Sequence, residues 1–145
     1  MTTPFTPVCR ICNAPAWNTN RKTRDYCREC YRAWTADYSK RRYHENYEFC
    51  ARMMGGACID CGKPSTPEKL LNFMHWGYPP DGDRRAPGRF MGHRLENLLQ
   101  RVKWCDLVCE TCRKRRNGTI PMTDKHQVRR EKTQMLIDFF LEQSA

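Results

Sequence analysis

The chain has 145 residues, of which 39% are hydrophobic and 29% are charged. This composition is too polar for one large hydrophobic core, and it favours small modules that are stabilised by bound metal. No apolar stretch reaches the length that spans a bilayer, and residues 1–7 lack the apolar segment of a secretory signal. We therefore expect a cytoplasmic protein without a membrane partner.

Ten cysteines indicate where the metal binds. Eight of them form four Cys-x-x-Cys pairs: Cys9 with Cys12, Cys27 with Cys30, Cys58 with Cys61, and Cys109 with Cys112. Since two such turns bring four thiolates to one tetrahedral ion, we predict two structural zinc sites. A disulfide framework is the alternative, and it would need an oxidising compartment. Cys50 and Cys105 are left over, and we expect them to be small buried hydrophobic residues rather than ligands of a third metal ion.

Residues 1–54 form the first predicted module, a zinc knuckle or ribbon with a long helix. Fourteen residues separate Cys12 from Cys27, enough for a short hairpin that returns the chain to the same ion. The helix is predicted over residues 28–54, because this stretch has neither Gly nor Pro and Gly55-Gly56 then ends it. A break near Asn46 is the alternative.

The predicted helix carries an aromatic face. Tyr31, Trp34 and Tyr38 recur at helical spacing and therefore lie on one side of it. We expect this side to pack against the zinc knuckles, and base stacking on nucleic acid is the alternative.

Residues 55–121 form the second predicted module. A short strand is predicted over residues 70–76 and a helix over residues 95–104. The inward face of that helix consists of Leu95, Leu98, Leu99 and Val102. Residues 77–92 between them are rich in Gly, Pro and Asp, and this composition predicts a loop that can lie along phosphates.

Residues 122–145 form a final amphipathic helix, with Thr123 or Asp124 as its cap and its end at about Gln143. Its predicted apolar face consists of Val128, Met135, Leu136, Phe139 and Phe140, and its polar side of Arg129, Arg130 and Lys132. We expect the helix to dock on the second module, and a dimer interface is the alternative. We assign no role to His44 or His126.

The charge distribution points to a polyanionic partner. The net charge is +10, and residues 84–116 alone hold ten basic and three acidic residues, a net charge of +7. We predict that nucleic acid, DNA rather than RNA, binds here. The predicted phosphate contacts are Arg84, Arg85, Arg89, Arg113, Lys114, Arg115 and Arg116. The alternative is a solvated basic face or a patch for an acidic protein.

Three stretches together resemble a known family. They are Cys58-x-x-Cys61-Gly62, residues 71–75 ending in His75, and residues 104–113 around Cys109 and Cys112. This pattern is similar to the zinc-bearing HNH endonucleases common in bacteriophages, and with the knuckle at Cys27 and Cys30 the resemblance covers most of residues 9–117. It implies a ββα-metal fold within a small zinc-rich α+β protein, located in a bacterial host's cytoplasm or at its nucleoid. It also implies that His75 is the general base, acting with a divalent cation, usually Mg²⁺.

The sequence departs from that family at the catalytic cation. The resemblance implies an acidic residue before the base and a His or Asn after the last zinc cysteine, but Met74 and Arg113 stand there. A thioether is a poor ligand for a hard cation, and a guanidinium repels one. A rearranged site could draw on Asp81, Asp83 and His93, whereas the alternative is that the two aspartates form an Asx turn around Gly82.

These observations predict a nucleic-acid-binding protein on an HNH-like scaffold that is impaired in phosphodiester hydrolysis. One alternative is an active, metal-dependent nicking or homing endonuclease, in which Mg²⁺ would bind. A second alternative is a zinc-module adaptor or inhibitor that binds a host or phage protein, or a host nucleoprotein complex.

Overall fold

The computed structural model describes residues 7–16 and 26–145, without the side chains of residues 89 and 90. The elements of this part of the chain are α1 (Arg28–Met53), β1 (Asn72–His75), a 3-10 turn (Pro87–Phe90), α2 (Leu95–Val102), β2 (Cys105–Val108), α3 (Glu110–Arg116) and α4 (Asp124–Ser144). The chain divides into two compact units, Met1–Arg42 and Tyr43–Ala145. This division differs from the predicted segments 1–54, 55–121 and 122–145, since the end of α1 and all of α4 belong to the second unit.

The first unit contains two cysteine turns and the start of α1. The backbone N–H of Cys9 donates to the carbonyl of Ala14 at 2.8 Å, and Asn13 has a positive φ of 60°, so the chain reverses directly after Cys12. Helix α1 begins at Arg28, next to Cys27, and the N–H of Tyr31 donates to the Cys27 carbonyl at 2.9 Å. The second cysteine turn is thus continuous with the helix, as predicted.

Helix α1 runs unbroken to Met53, so the predicted helix is confirmed and the alternative of a break near Asn46 is wrong. The Asn46 side chain, in the second unit, does not disturb the helix but binds the chain before α2. Its Nδ2 donates to the carbonyl of Met91 at 2.7 Å and to that of His93 at 3.2 Å. Gly55 and Gly56 follow the helix with φ values of 96° and 70°. Glycine adopts this left-handed backbone at little cost, which explains why the helix ends here.

The sheet of the second unit pairs β1 with β2 in antiparallel orientation, with Asn72 opposite Val108 and His75 opposite Cys105. The predicted strand near residues 70–76 is confirmed. Cys109 follows β2 and caps α3, because its Sγ accepts from the N–H of Cys112 at 3.4 Å. The protein is therefore a small α+β fold, as predicted.

The hydrophobic core of the second unit lies between α1, α2, β2 and α4. Its fully buried residues include Leu98, Leu99, Val102, Leu107, Val108 and Ile137. The predicted inward face of α2 is confirmed, with Leu95 packed at its edge. Each large side chain buried in this way stabilises the fold by about 1.5–3 kcal/mol.

Helix α4 docks on the second unit as predicted, but mostly through a different face. Its buried residues are His126, Arg130, Thr133 and Ile137, whereas Val128, Met135, Leu136 and Phe139 are exposed. Of the predicted apolar face only Phe140 is packed, and its ring centroid lies 5.0 Å from that of Phe49. The prediction was wrong because the surface beneath α4 contains carboxylates that need cationic partners, as described below. Among the described residues, no helix combines the length and apolarity needed to cross a bilayer.

Candidate metal centres and candidate nucleic-acid interface

The eight paired cysteines form two clusters, as their spacing predicted. Cys9, Cys12, Cys27 and Cys30 make one, and Cys58, Cys61, Cys109 and Cys112 the other; within each, the sulfur atoms lie within 4.8 Å of one another. The Cys12 and Cys27 sulfurs are 3.6 Å apart, and those of Cys61 and Cys109 are 3.7 Å apart. Four sulfurs bound to a tetrahedral zinc ion at about 2.3 Å lie about 3.8 Å from each other. Both clusters could therefore hold a structural metal ion, and their donors are those of zinc.

The protonation chemistry of the second cluster also suits a cation. Burial opposes ionisation of Cys58, but backbone hydrogen bonds from Cys109, Cys61 and Asp60 together lower its pKa to about 7. Burial, followed by the neighbouring sulfurs, raises the pKa of Cys112 to about 12. One thiol of the cluster therefore ionises more readily than a free cysteine, whereas burial above all disfavours ionisation of another.

No disulfide forms, although all ten cysteines lie within the described residues. The disulfide framework considered from the sequence is therefore wrong for this structure. Cys50 and Cys105 are buried, as predicted for small hydrophobic residues. Burial raises the pKa of the Cys50 thiol to about 12, which leaves it neutral and unreactive at physiological pH.

A buried ion cluster lies against the second metal centre. It consists of Asp60, Asp106, Arg116, His126 and Arg130. The Arg116 guanidinium donates from Nε to Oδ2 of Asp60 at 2.7 Å and from Nη1 to Oδ2 of Asp106 at 3.0 Å. Arg116 is buried, so the prediction that it contacts phosphate is wrong.

Helix α4 completes this buried ion cluster. The His126 Nε2 lies 2.6 Å from Oδ1 of Asp60, and the Arg130 Nη2 donates to Oδ2 of Asp106 at 2.6 Å. Bonding to Arg116, followed by His126, holds the pKa of Asp60 at about 2 despite its burial, so its carboxylate accepts these bonds. The sequence pattern assigns no role to His126 and places Arg130 on the polar side of the helix. The sequence did contain a signal for these two partners. Asp60 lies inside a cysteine turn and Asp106 inside a buried strand, and a buried carboxylate needs a cation.

His75 is the last residue of β1 and pairs with Cys105, the first residue of β2. Its Nδ1 lies 3.6 Å from the Cys105 sulfur, its Nε2 lies 3.3 Å from the Arg85 carbonyl oxygen, and its ring centroid lies 5.0 Å from that of Tyr78. The imidazole is partly buried and is held from both ring nitrogens. These contacts orient the ring, but none of them supplies a carboxylate that could share a cation with it.

A cleft of about 400 Å³ opens beside the sheet, and Met74, Glu110 and Arg113 are among its lining residues, whereas His75 is not. The Arg113 Nε donates to Oε2 of Glu110 at 2.9 Å, and the Asn72 Nδ2 donates to the same oxygen at 3.2 Å. The guanidinium lowers the pKa of Glu110, which keeps the pair ionised. The carboxylate nearest to this cleft is thus already bound by a protein cation.

The loop acids are also engaged. The N–H of Asp83 donates to Oδ1 of Asp81 at 2.9 Å, and Gly82 between them has a φ of 74°, which is the Asx turn considered above. The Asp83 carboxylate pairs with Arg85 at 2.7 Å and with Arg101 at 2.5 Å. In residues 7–16 and 26–145, the two tetracysteine clusters are the only groups of three or more His, Cys, Asp or Glu ligands close enough to share an ion.

The predicted phosphate contacts now separate into groups. Arg85 and Arg113 pair with acids, and the side chain of Arg89 lies outside the described part of the structure. The guanidinium of Arg84 lies 5.2 Å from the centroid of the Tyr78 ring. Lys114 and Arg115 point into solvent from α3, with Lys114 4.0 Å from Glu110. Arg84, Lys114 and Arg115 therefore remain the candidate phosphate ligands.

No protein-family model, curated protein or solved structure matches this chain. The function must therefore be inferred from the chemistry of the residues described above.

Proposed function

We propose that this protein binds nucleic acid through the basic surface of its second unit and does not hydrolyse the phosphodiester backbone. The scaffold we propose is HNH-like. Three features support it: His75 ends the first strand, the second strand pairs with it in antiparallel orientation, and the metal cluster draws on the helix that follows. On this scaffold His75 would be the general base if a catalytic cation were bound.

The observation that carries the proposal is the chemistry at positions 74 and 113. Met74 offers a thioether, and the Arg113 guanidinium is bound to the Glu110 carboxylate. A magnesium ion needs several oxygen ligands and near-octahedral geometry, which this pair does not provide. The Arg113 guanidinium neutralises the Glu110 carboxylate at this point, so the pair offers no free negative charge to a divalent cation.

The binding half of the proposal depends on exposed cations. Lys114 and Arg115 lie on the solvent side of α3, and Arg84 lies on the loop that precedes α2. Lys and Arg side chains that contact phosphate release counterions, so affinity from this source decreases as salt increases. Contacts to phosphate carry no sequence information, so we expect little sequence preference from this source.

The test is a gel shift run beside a cleavage assay on plasmid DNA, single-stranded DNA and RNA with Mg²⁺ and with Mn²⁺. We expect shifted complexes without cleavage. The double variant Lys114→Ala, Arg115→Ala should bind more weakly, whereas Lys132→Ala, which removes an exposed cation from α4, should bind as the wild type does. Nicking that disappears in His75→Ala would show an active endonuclease instead. Equal affinity of the double variant and the wild type would refute the proposal that this basic surface binds nucleic acid.

The scaffold is tested separately by restoring the expected ligands. The double variant Met74→Asp, Arg113→Asn should acquire Mg²⁺-dependent nicking, and adding His75→Ala should abolish it. If a folded double variant that carries both zinc ions does not nick DNA, the HNH-like scaffold is contradicted while the binding proposal is unaffected.

A second candidate function is that of an adaptor or inhibitor that binds a host protein. The observation that favours it is the exposed apolar row on α4, formed by Val128, Met135 and Phe139. This function predicts a stoichiometric partner captured from a bacterial lysate, lost in Met135→Ser and Phe139→Ser, together with weak binding to plain duplex DNA.

A further inference from the structure

An aromatic ladder, which we define as Tyr26, Tyr31, Trp34 and Tyr38, begins just before α1 and continues along its first half. Trp34 lies at its centre, with ring centroids 6.1, 6.3 and 5.5 Å from those of Tyr26, Tyr31 and Tyr38. The interplanar angles are 19°, 30° and 18°, so the rings are nearly parallel. The ladder is therefore a preformed stack.

The aromatic ladder is open to solvent. Trp34 and Tyr38 are each 43% exposed, and the buried residues of α1 are Tyr47, Cys50 and Ala51, which all lie in the second unit. Tyr31 is half-buried and Trp34 stacks on Tyr26, which adjoins the Cys27 turn, so the expected packing against the knuckles is met at the start of the ladder, whereas Tyr38 extends beyond it. Two large rings are therefore partly exposed on this face of the helix.

Cations lie next to the aromatic ladder. Residues 28–42 contain five basic and two acidic residues, a net charge of +3. Arg41 and Arg42 follow Tyr38 by three and four residues, so they continue the same face by one turn. The Arg42 Nη1 lies 3.4 Å from the Tyr38 hydroxyl oxygen, and this contact places a guanidinium at the end of the stack.

We propose that this face binds single-stranded nucleic acid, with bases stacking on Trp34 and Tyr38 and the backbone following Arg41 and Arg42. The inference builds on the proposed function and adds a second surface with a different preference. A paired duplex keeps its bases stacked inside, so only an unpaired strand offers base faces to these rings. Parallel rings flanked by guanidinium groups match such a strand.

The test measures the affinity of the full-length, zinc-loaded protein for labelled oligothymidylate, oligouridylate and a matched duplex. Trp34→Ala should weaken binding of both single strands by about 5- to 150-fold, the range for loss of one stacked base. Duplex binding should not change. Trp34→Phe should keep most of the affinity, and Phe139→Ala, which removes an even more exposed ring from α4, should have no effect.

The salt dependence of the affinity distinguishes base stacking from phosphate contacts. The ratio of wild-type to Trp34→Ala affinity should stay constant as salt rises, because stacking releases no counterions. An unchanged single-strand affinity in Trp34→Ala would overturn the inference, as would an equal loss on single strand and duplex. Binding to vesicles of anionic lipid is measured in parallel. If Trp34→Ala weakens binding to the vesicles but to neither nucleic acid, this face binds membranes and the inference is overturned.

The outcomes separate this inference from the proposed function. If Lys114→Ala, Arg115→Ala weakens duplex binding while Trp34→Ala changes nothing, the basic surface stands and the aromatic site fails. If the wild type binds neither duplex nor single strand, both fail. The zinc content and helical circular dichroism of each variant show that it is folded.

Discussion

Replacement of Asp106 by Asn should be among the most destabilising single changes in the chain. Asp106 is a strand residue whose side chain is only 1% exposed. It accepts from Arg130 Nε at 2.9 Å, from Arg130 Nη2 at 2.6 Å and from Arg116 Nη1 at 3.0 Å. Asparagine keeps the shape of the side chain, but it removes the negative charge that both guanidinium groups face.

The expected loss of folding stability in Asp106→Asn follows from the burial of the ion pair. The Arg130 side chain is 1% exposed and its charged partner is Asp106, so the substitution leaves a buried cation without compensation. Removing one partner of a buried ion pair costs about 3–5 kcal/mol. The matched control is Asp138→Asn, whose carboxylate is 53% exposed and lies 3.2 Å from Lys103 Nζ. Loss of an exposed pair of this kind costs about 0–1 kcal/mol.

The assay is urea unfolding of both variants and the wild type at saturating zinc, followed by tryptophan fluorescence. We expect a large decrease in the midpoint for Asp106→Asn, a small one for Asp138→Asn, and the same denaturant slope in all three. If the two variants unfold at the same midpoint, Asp106 does not anchor α4, and the buried ion cluster contributes little to stability.

Two other predictions concern the metal and the docked helix. The protein should contain two zinc ions, and Cys112→Ser should reduce this to one by elemental analysis. Chelation should unfold the zinc modules, because each site loses zinc-binding free energy on the order of 10 kcal/mol that stabilises the folded state. Zinc affinity should fall as pH falls, because zinc displaces thiol protons. On α4, Ile137→Ala should cost about 2–5 kcal/mol, whereas Phe139→Ser should stay within about 0.5 kcal/mol. Equal thermal shifts for these two variants would mean that the opposite face of α4 is docked.

The features that the sequence predicted correctly depend on local signals. The cysteine turns could be paired because two residues between cysteines suit one tetrahedral ion, and the clusters form as expected. The end of α1 could be placed within one residue, because Gly55 and Gly56 take positive φ values. The inward face of α2 followed from the spacing of Leu98, Leu99 and Val102.

The docked face of α4 could not be predicted in this way. A helical pattern shows which side is apolar, and it predicts burial only if the surface beneath is apolar too. Here the surface beneath contains Asp60 and Asp106, which lie 66 and 24 residues from their α4 partners His126 and Arg130. Desolvating these carboxylates without cations would cost more than leaving Val128, Met135 and Phe139 exposed. Long-range charge pairing therefore determined the rotation of the helix.

The same reasoning changes what a net charge of +7 in residues 84–116 means for binding. The basic run that ends α3 is continuous in sequence, but the helix turns Arg116 inward and Lys114 and Arg115 outward. If every predicted basic residue contacted phosphate, seven contacts would give a salt slope of about −6.3 on duplex DNA, at about 0.9 per contact. Arg84, Lys114 and Arg115 alone would give about −2.7. Opening of the Arg85 and Arg113 ion pairs would add two contacts to these three and give a slope of about −4.5. A measured slope near that value would mean that these pairs open on binding, and a slope near the smallest value would mean that they persist.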